Sequence, residues 1–365
     1  LNNIINLYDI GLSGQYVREA AMYGDKLFLA RVSVQHRNMY KVITENGEIQ
    51  AEVAGKLSYS ASVSADYPAV GDWVLVDRID GNSGNAIIHH LLTRKSCFAR
   101  KAAGTASERQ VIAANIEMVF ICMSLNHDFN LRRIERYLSI AWDSLATPVI
   151  VLTKSDLCDD PNAKLTELQS VAVGVDVILT SSISGDGYAD IRKLITKGKT
   201  VAFIGSSGVG KSTLINLLVG EKVLPTKEIR GDDRGRHATT QRQLLLLPGG
   251  GVVIDTPGMR ELQLAGAVLS KSFVDITELE LRCYFRECRH ESEPNCAVRQ
   301  AIEDGMLSAG RLENYKKLQR EMAFEEQKKI MTPAQVEKKK VIDMIGSLDG
   351  YKKFQKYNRK NKRNK

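Results

Sequence analysis

The sequence is poor in aromatic side chains (6%), has two tryptophans in 365 residues, and contains no apolar run of the length needed to cross a bilayer. The first sixteen residues, LNNIINLYDIGLSGQY, lack a basic flank followed by an apolar block, which argues against a secretory leader. A disulfide framework is missing as well. Of six cysteines, Cys283, Cys288 and Cys296 cluster near a histidine, while Cys97, Cys122 and Cys158 lie scattered in or beside apolar segments. That usage fits a reducing, cytoplasmic setting and one metal site. A uniformly basic body is absent too. The net charge is +8, yet the last fifteen residues, YKKFQKYNRKNKRNK, hold eight Lys or Arg and no acid; without those eight, basic and acidic residues balance at 43 each. The excess is therefore a tail, either drawn to polyanions by counterion release or merely solubilising. No repeat of solenoid period occurs.

What is present divides into stretches of different rhythm. Residues 27–95 read as short strands, LFLARVSV, MYKVITE, IQAEVAGKL, DWVLVDRI and AIIHHLLT, separated by polar or glycine-containing turns. Five short strands in about seventy residues fit a small closed barrel, for which an OB-fold is the commonest compact solution and an SH3-like barrel the alternative. From about residue 108, apolar strands alternate with helices, the mark of a parallel sheet covered on both faces. In LRRIERYLSIAWDSL, helical spacing puts Leu131, Ile134, Tyr137, Leu138 and Ala141 on one face. Beyond about 270 the chain turns helical and polar, and 311–329 reads as a charged docking helix or solvated arm with a thin apolar stripe. The expected fold is multidomain: an OB-fold β-barrel (1–97), an α/β phosphate-loop domain (98–267), a mostly helical metal-binding domain (268–345) and a basic tail (346–365).

The strongest signal is 205-GSSGVGKS-212, which follows the apolar strand VAFI and opens the helix STLINLL. Backbone N–H groups of Gly205, Ser206, Ser207, Gly208, Val209, Gly210, Lys211, Ser212 and Thr213 would curl around phosphates at a helix N-terminus. Lys211 reaches the β- and γ-phosphates, and Ser212 puts its hydroxyl on Mg²⁺. In 252-VVIDTPG-258, Asp255 is placed to hold the magnesium hydration shell and Gly258 to sense the γ-phosphate. Between them, 231-GDDRGRHATT-240 is a switch-like loop in which Thr239 or Thr240 could coordinate magnesium, Thr239 being favoured. Upstream, 150-IVLTKSD-156 ends in a guanine reader. Asp156 can accept from N1–H and N2–H₂ of guanine, where adenine offers no donor, and Lys154 can lay its methylene stem on the ring. Thr153 stands where asparagine is usual. Thr180, Ser181 and Ser182 can support the base. The order is therefore base reader, base support, phosphate loop, switch I, switch II, with the usual order cut and rejoined. Each motif is a loop at a strand's C-terminal end, so such a re-cut preserves the site.

Cys283-x4-Cys288-x-His290-x5-Cys296 offers three thiolates and one imidazole, a closed tetrahedral set suited to one structural Zn²⁺. Loss of that metal is expected to unfold this module and leave the nucleotide loops in place.

The re-cut order, 109-RQVIAANIEMVFICMSL-125, 132-RRIERYL-138 and the metal module together resemble the ribosome small-subunit-dependent GTPase A family of circularly permuted GTPases, over almost the whole chain. The resemblance implies a cytoplasmic enzyme hydrolysing GTP to GDP, acting late in small-subunit assembly and stimulated by the subunit, with a barrel that touches ribosomal RNA; a monomer with no membrane partner is expected. The family's switch I usually reads Gly-x-His-Thr-Thr-Thr; here it is 235-GRHATT-240, with Ala238 departing. Met259 occupies the place where Ras-like enzymes carry a water-orienting glutamine. His237, to which the resemblance also points, is the best candidate for that role, with Lys211 the other catalytic residue. The competing functions are an RNA-binding scaffold with a weakly hydrolysing nucleotide switch, and a phosphate-loop kinase or ATPase.

Overall fold

Alternating apolar residues from Phe28 onward build three antiparallel strands, β1 (Phe28–Gln35), β2 (Tyr40–Thr44) and β3 (Gly47–Val53), preceded by a short helix α1 (Gly14–Ala21). The computed structural model describes residues 4–330 apart from 37–38, 83, 102–108, 225–241 and 256–268, together with residue 335. The strand expected to run on to Leu57 stops at Val53. The Ala54 carbonyl accepts from the Ser58 N–H instead and opens helix α2 (Gly55–Ser60). β4 (Trp73–Val76) and β5 (Ala86–Leu91) complete the barrel: β3 pairs in parallel with β5, β5 with β4, and β4 returns to β1. This closed order, β1-β2-β3-β5-β4-β1 with a helix between β3 and β4, is the five-stranded Greek-key OB barrel. Ala30, Val32, Val42, Val74 and Ile88 fill it.

A two-stranded hairpin, β6 (Cys97–Lys101) and β7 (Arg109–Ala114), leads to the second sheet. That sheet contains β8 (Met118–Ser124), β9 (Thr147–Thr153), β10 (Asp176–Leu179), β11 (Thr200–Gly205), β12 (Gln243–Leu246) and β13 (Val252–Asp255), in the order β10-β9-β8-β11-β13-β12. All pairs are parallel except β12 with β13. Helices α3 (Leu131–Asp143), α4 (Pro161–Gln169), α5 (Tyr188–Leu194) and α6 (Lys211–Val219) connect them. Phe120, Val149, Val151, Phe203, Leu214 and Ile215 form the core on the α5–α6 side. The barrel joins this sheet edge to edge, where Val34 of β1 faces Gln243 of β12.

Arg31 fastens the two bodies. It is buried, and its guanidinium donates to Gly71 O (3.1 Å), Thr200 Oγ1 (2.8 Å), Asn115 O (3.3 Å) and Ile10 O, over the Trp73 ring. Desolvation pulls its pKa down to about 10, so it stays charged at neutral pH and its carbonyl partners are what make that burial tolerable.

The C-terminal lobe comprises α7 (Leu269–Ser272), α8 (Val274–Glu280), α9 (Ala297–Glu303) and α10 (Ala309–Ile330). It is not a separate bead. Phe273, Ile276, Leu312, Tyr315 and Leu318 belong to the same core as Ile134, Tyr137 and Leu138 of α3 and Ile121 and Ile204 of the sheet. The helix read as a docking or solvated arm thus docks through its first half.

That burial explains a residue the helical face did not announce. Glu135 is fully buried and receives Arg132 Nη1 (2.7 Å), Arg311 Nη1 (2.8 Å) and Asn314 Nδ2 (2.5 Å); Arg311 also pairs with Asp275 Oδ2 at 2.6 Å. Truncating Arg311 to Ala would remove one of the two arginines paired with the buried Glu135 carboxylate and leave Arg132 as its remaining charge partner in the seam with α10. We expect a loss of about 3 kcal/mol in denaturant unfolding; a loss below about 1 kcal/mol, the range of an exposed pair, would mean water reaches that seam.

Candidate nucleotide site and metal centre

The strand ends set the site. Gly205 pairs with Cys122, Cys122 with Val151, Ser124 with Thr153, and Leu152 with Leu179, so the loops after β8, β9, β10 and β11 leave one edge nearly level. Ile254 pairs with Ala202, which brings Asp255 to the same edge. Gly205 has a φ of 145°, and a Cβ there would stand 2.3 Å from the Cys122 carbonyl oxygen. No side chain fits, so the phosphate loop can spring directly from the strand. Burial pushes the Cys122 thiol beneath it up to about 12, which makes that sulfur a packing group.

The loop is held at several points. Lys211 Nζ donates to Gly205 O (2.9 Å) and Ser206 O (2.5 Å), and Arg133 Nη1 donates to Ser206 Oγ (2.8 Å). Gly210, at φ 98°, precedes α6, whose first turn carries Lys211, Ser212 and Thr213. Ser207 and Gly208 are exposed between the anchors.

The segment 150–156 lies against this loop. Thr153 Oγ1 donates to Val209 O at 2.5 Å. A threonine in the asparagine position therefore supplies a tether from base reader to phosphate loop. Lys154 has a φ of 56°, a left-handed conformation that costs a non-glycine residue about 1 kcal/mol or more and turns the chain into the 3-10 helix Ser155–Leu157. Asp156 is oriented from behind: Ser181 Oγ donates to its Oδ1 at 2.6 Å, and Ser155 N–H donates to Thr180 O at 3.1 Å. Gly187 closes that supporting loop at φ 72°, where a Cβ would overlap Leu179 O. Ser182 is exposed beside it. Replacing Thr153 with Val keeps the shape but removes the hydroxyl. We expect guanine nucleotide affinity to fall about fivefold, the value of one ordinary hydrogen bond, as read by fluorescent GDP titration; unchanged affinity would show that the tether does not stabilise the bound state.

His237, Thr239, Thr240, Gly258 and Met259 lie outside the described residues, as does the basic tail.

The cysteine–histidine cluster is assembled by turns at His290 and Asn295, each with φ 56°. The sulfur or nitrogen donors of Cys283, Cys288, His290 and Cys296 all lie within 4.8 Å of one another. His290 Nδ1 is 3.3 Å from Cys296 Sγ and 3.8 Å from Cys283 Sγ, and the two sulfurs are 3.9 Å apart. Ligands about 2.3 Å from a common tetrahedral centre stand roughly 3.8 Å from each other, so this donor set fits zinc. Behind it, His290 Nε2 meets Glu280 Oε1 at 3.1 Å, and Tyr315 Oη donates to Glu280 Oε2 at 3.2 Å. The carboxylate leaves Nδ1 as the nitrogen facing the sulfurs and ties the module to α10. The sequence pattern had not singled out Glu280 or Tyr315. A glutamate ten residues from a histidine, or a tyrosine on a later helix, gives no local signal.

A phosphate loop, a guanine-reading loop tethered to it, and the strand order above define a circularly permuted GTPase. The RsgA GTPase family model matches residues 91–265, and the small ribosomal subunit biogenesis GTPase RsgA 2 of Lactiplantibacillus plantarum is 48% identical over 357 residues, 97% of this chain and 99% of that protein. The chain belongs to the RsgA GTPase family. The RsgA 1 protein of Oceanobacillus iheyensis is 44% identical over 340 residues, 92% of this chain and 97% of its own length. Among solved structures, YjeQ from Thermotoga maritima aligns with a TM-score of 0.61 and 28% identity, covering 81% of this chain and 99% of that one. YloQ, described as a circularly permuted GTPase, aligns at 0.58 and 26%, covering 81% and 95%. Among the described residues no helix is long and apolar enough to cross a membrane.

Proposed function

We propose that this GTPase acts in biogenesis of the small ribosomal subunit, in the cytoplasm and as a monomer, with its hydrolysis of GTP stimulated by the subunit. The observation that carries its use of a guanine nucleotide is the contact of Thr153 with the phosphate loop beside the Ser181–Asp156 pair. The names of the relatives support the ribosomal role. The OB barrel is the surface we assign to ribosomal RNA, with the basic tail as a second polyanion contact.

Lys154, Asp156, Thr180, Ser181 and Ser182 take the base, residues 205–213 the phosphates, and Ser212, Thr239 and Asp255 the magnesium side, while Gly258 senses the γ-phosphate. Magnesium, when bound there, would supply positive charge against the phosphates. Cys283, Cys288, His290 and Cys296 hold zinc, which supplies a structural crosslink and no chemistry. Met259 cannot orient water, so His237 is assigned that task and the bare enzyme turns over slowly. Multiple-turnover GTPase assays with and without purified small subunits test the whole reading; equal rates would favour an RNA-binding scaffold. His237→Ala is expected to lower subunit-stimulated turnover about a hundredfold or more and leave GDP affinity within about twofold. Equal stimulated turnover in mutant and wild type would remove the role.

A further inference from the structure

One charged side chain at the phosphate loop has no place in the chemistry above. Arg133 lies on the first turn of α3, outside the cradle formed by the loop's own backbone. Its Nη1 donates to Ser206 Oγ at 2.8 Å and to Asp128 Oδ1 at 2.8 Å, with Asp128 O at 3.5 Å. The Asp128 pair neutralises most of its field, so it is poorly suited to clamping phosphate charge. It is well suited to fixing position. Ser206 is gripped from two sides, its hydroxyl by Arg133 and its carbonyl by Lys211. Beyond it, Ser207 and Gly208 are exposed, and the loop is next held at Val209, whose side chain is buried and whose carbonyl accepts from Thr153.

The same helical turn is held on its other side by the C-terminal lobe. Glu135 meets Arg311 and Asn314 of α10. Arg136 makes a two-pronged pair with Glu321, Nη1 to Oε2 at 2.6 Å and Nη2 to Oε1 at 2.8 Å. Arg132 Nη2 approaches Ser308 Oγ at 3.4 Å. Residues 132, 135 and 136 thus engage the lobe, while residue 133 engages the loop.

We propose that Arg133 is a positioning residue for the phosphate loop, and that the C-terminal lobe sets its aim by gripping the same turn of α3. A glycine-rich loop loses much conformational freedom when it closes on phosphates, and a brace already in place reduces that loss. Loosening the lobe lets the turn shift and weakens the brace. The proposal rests on residues 205–212 being the phosphate loop of the GTPase.

The test is a double-mutant cycle on GDP affinity and on kcat and KM for GTP, with zinc-loaded full-length protein. Arg133→Ala is expected to weaken GDP binding about tenfold, the value of a charged hydrogen bond, and Arg133→Lys to restore most of it. Glu321→Ala, which opens the half-exposed Arg136 pair without touching the buried Glu135, is expected to weaken GDP binding about threefold in the wild-type background and not at all in the Arg133→Ala background. The charge swap Arg136→Glu with Glu321→Arg should recover the loss. GDP affinity unchanged by Arg133→Ala, or a Glu321→Ala effect of equal size in both backgrounds, would overturn the proposal. Lys211→Ala serves as the control: if it too leaves binding intact, the assignment of the phosphate loop is what has failed.

Discussion

Replacing Asp156 with Asn is expected to lower GTP affinity about 10³-fold and make xanthosine triphosphate the better ligand. The carboxylate would accept from two donors on guanine, N1–H and N2–H₂. An asparagine keeps one acceptor but turns an N–H₂ toward the guanine amino group, donor against donor. Xanthine carries a carbonyl at that place and accepts from the new amide. The surroundings favour a clean exchange, because the Ser181 hydroxyl that aims Asp156 at 2.6 Å can donate equally well to the asparagine oxygen. Competition of GTP, XTP and ATP against a fluorescent guanine nucleotide reads the outcome. A mutant that still prefers GTP over XTP would place guanine recognition on residues other than Asp156.

Metal removal should have the other large effect. Residues 281–296 contain few apolar side chains of their own, and Leu281 and Tyr284 are exposed. Four ligand bonds to zinc would close the module, with apparent binding energies for such sites of about 10–16 kcal/mol at neutral pH. Chelation should unfold the turns at His290 and Asn295, free Glu280 from its imidazole, and release Tyr315 from Glu280. We expect helical circular dichroism to fall and amide exchange to rise through α9 and the first half of α10, with a smaller rise in α3. GDP affinity should drop only a few-fold, because the loops at the strand ends keep their own tethers. Unaltered exchange after complete zinc loss would mean that the lobe's hydrophobic seam, not the metal, keeps it folded.

Both candidate sites were read from contiguous stretches of the sequence. The phosphate loop, the guanine reader and the four metal ligands are contiguous motifs, and their spacing carries their chemistry. The barrel was also legible, since alternation over residues 28–91 survives into strands that close on themselves. What stayed hidden were contacts between distant segments. Arg133, Glu135 and Arg136 look like the polar face of an amphipathic helix, and only the partners brought by the tertiary fold separate them: the lobe buries Glu135 and pairs with Arg136, while Arg133 meets Ser206. Arg31 sits in an alternating strand where its position predicts nothing about burial; the carbonyls that satisfy it come from residues 10, 71 and 115. Thr153 looked like a weakened motif because its hydroxyl acts on a loop 56 residues away.

The edge-to-edge contact between Val34 and Gln243 has a consequence for taking the molecule apart. β12 is the outermost strand of the nucleotide sheet, and the barrel is its only covering there among the described residues. Cutting the chain near residue 97 would bare a row of unpaired backbone donors and acceptors, and would strip Thr200 of Arg31 at the root of β11. The isolated catalytic part would then be prone to self-association through that open border, so any loss of activity on removing the barrel would report a damaged sheet as readily as a missing RNA contact.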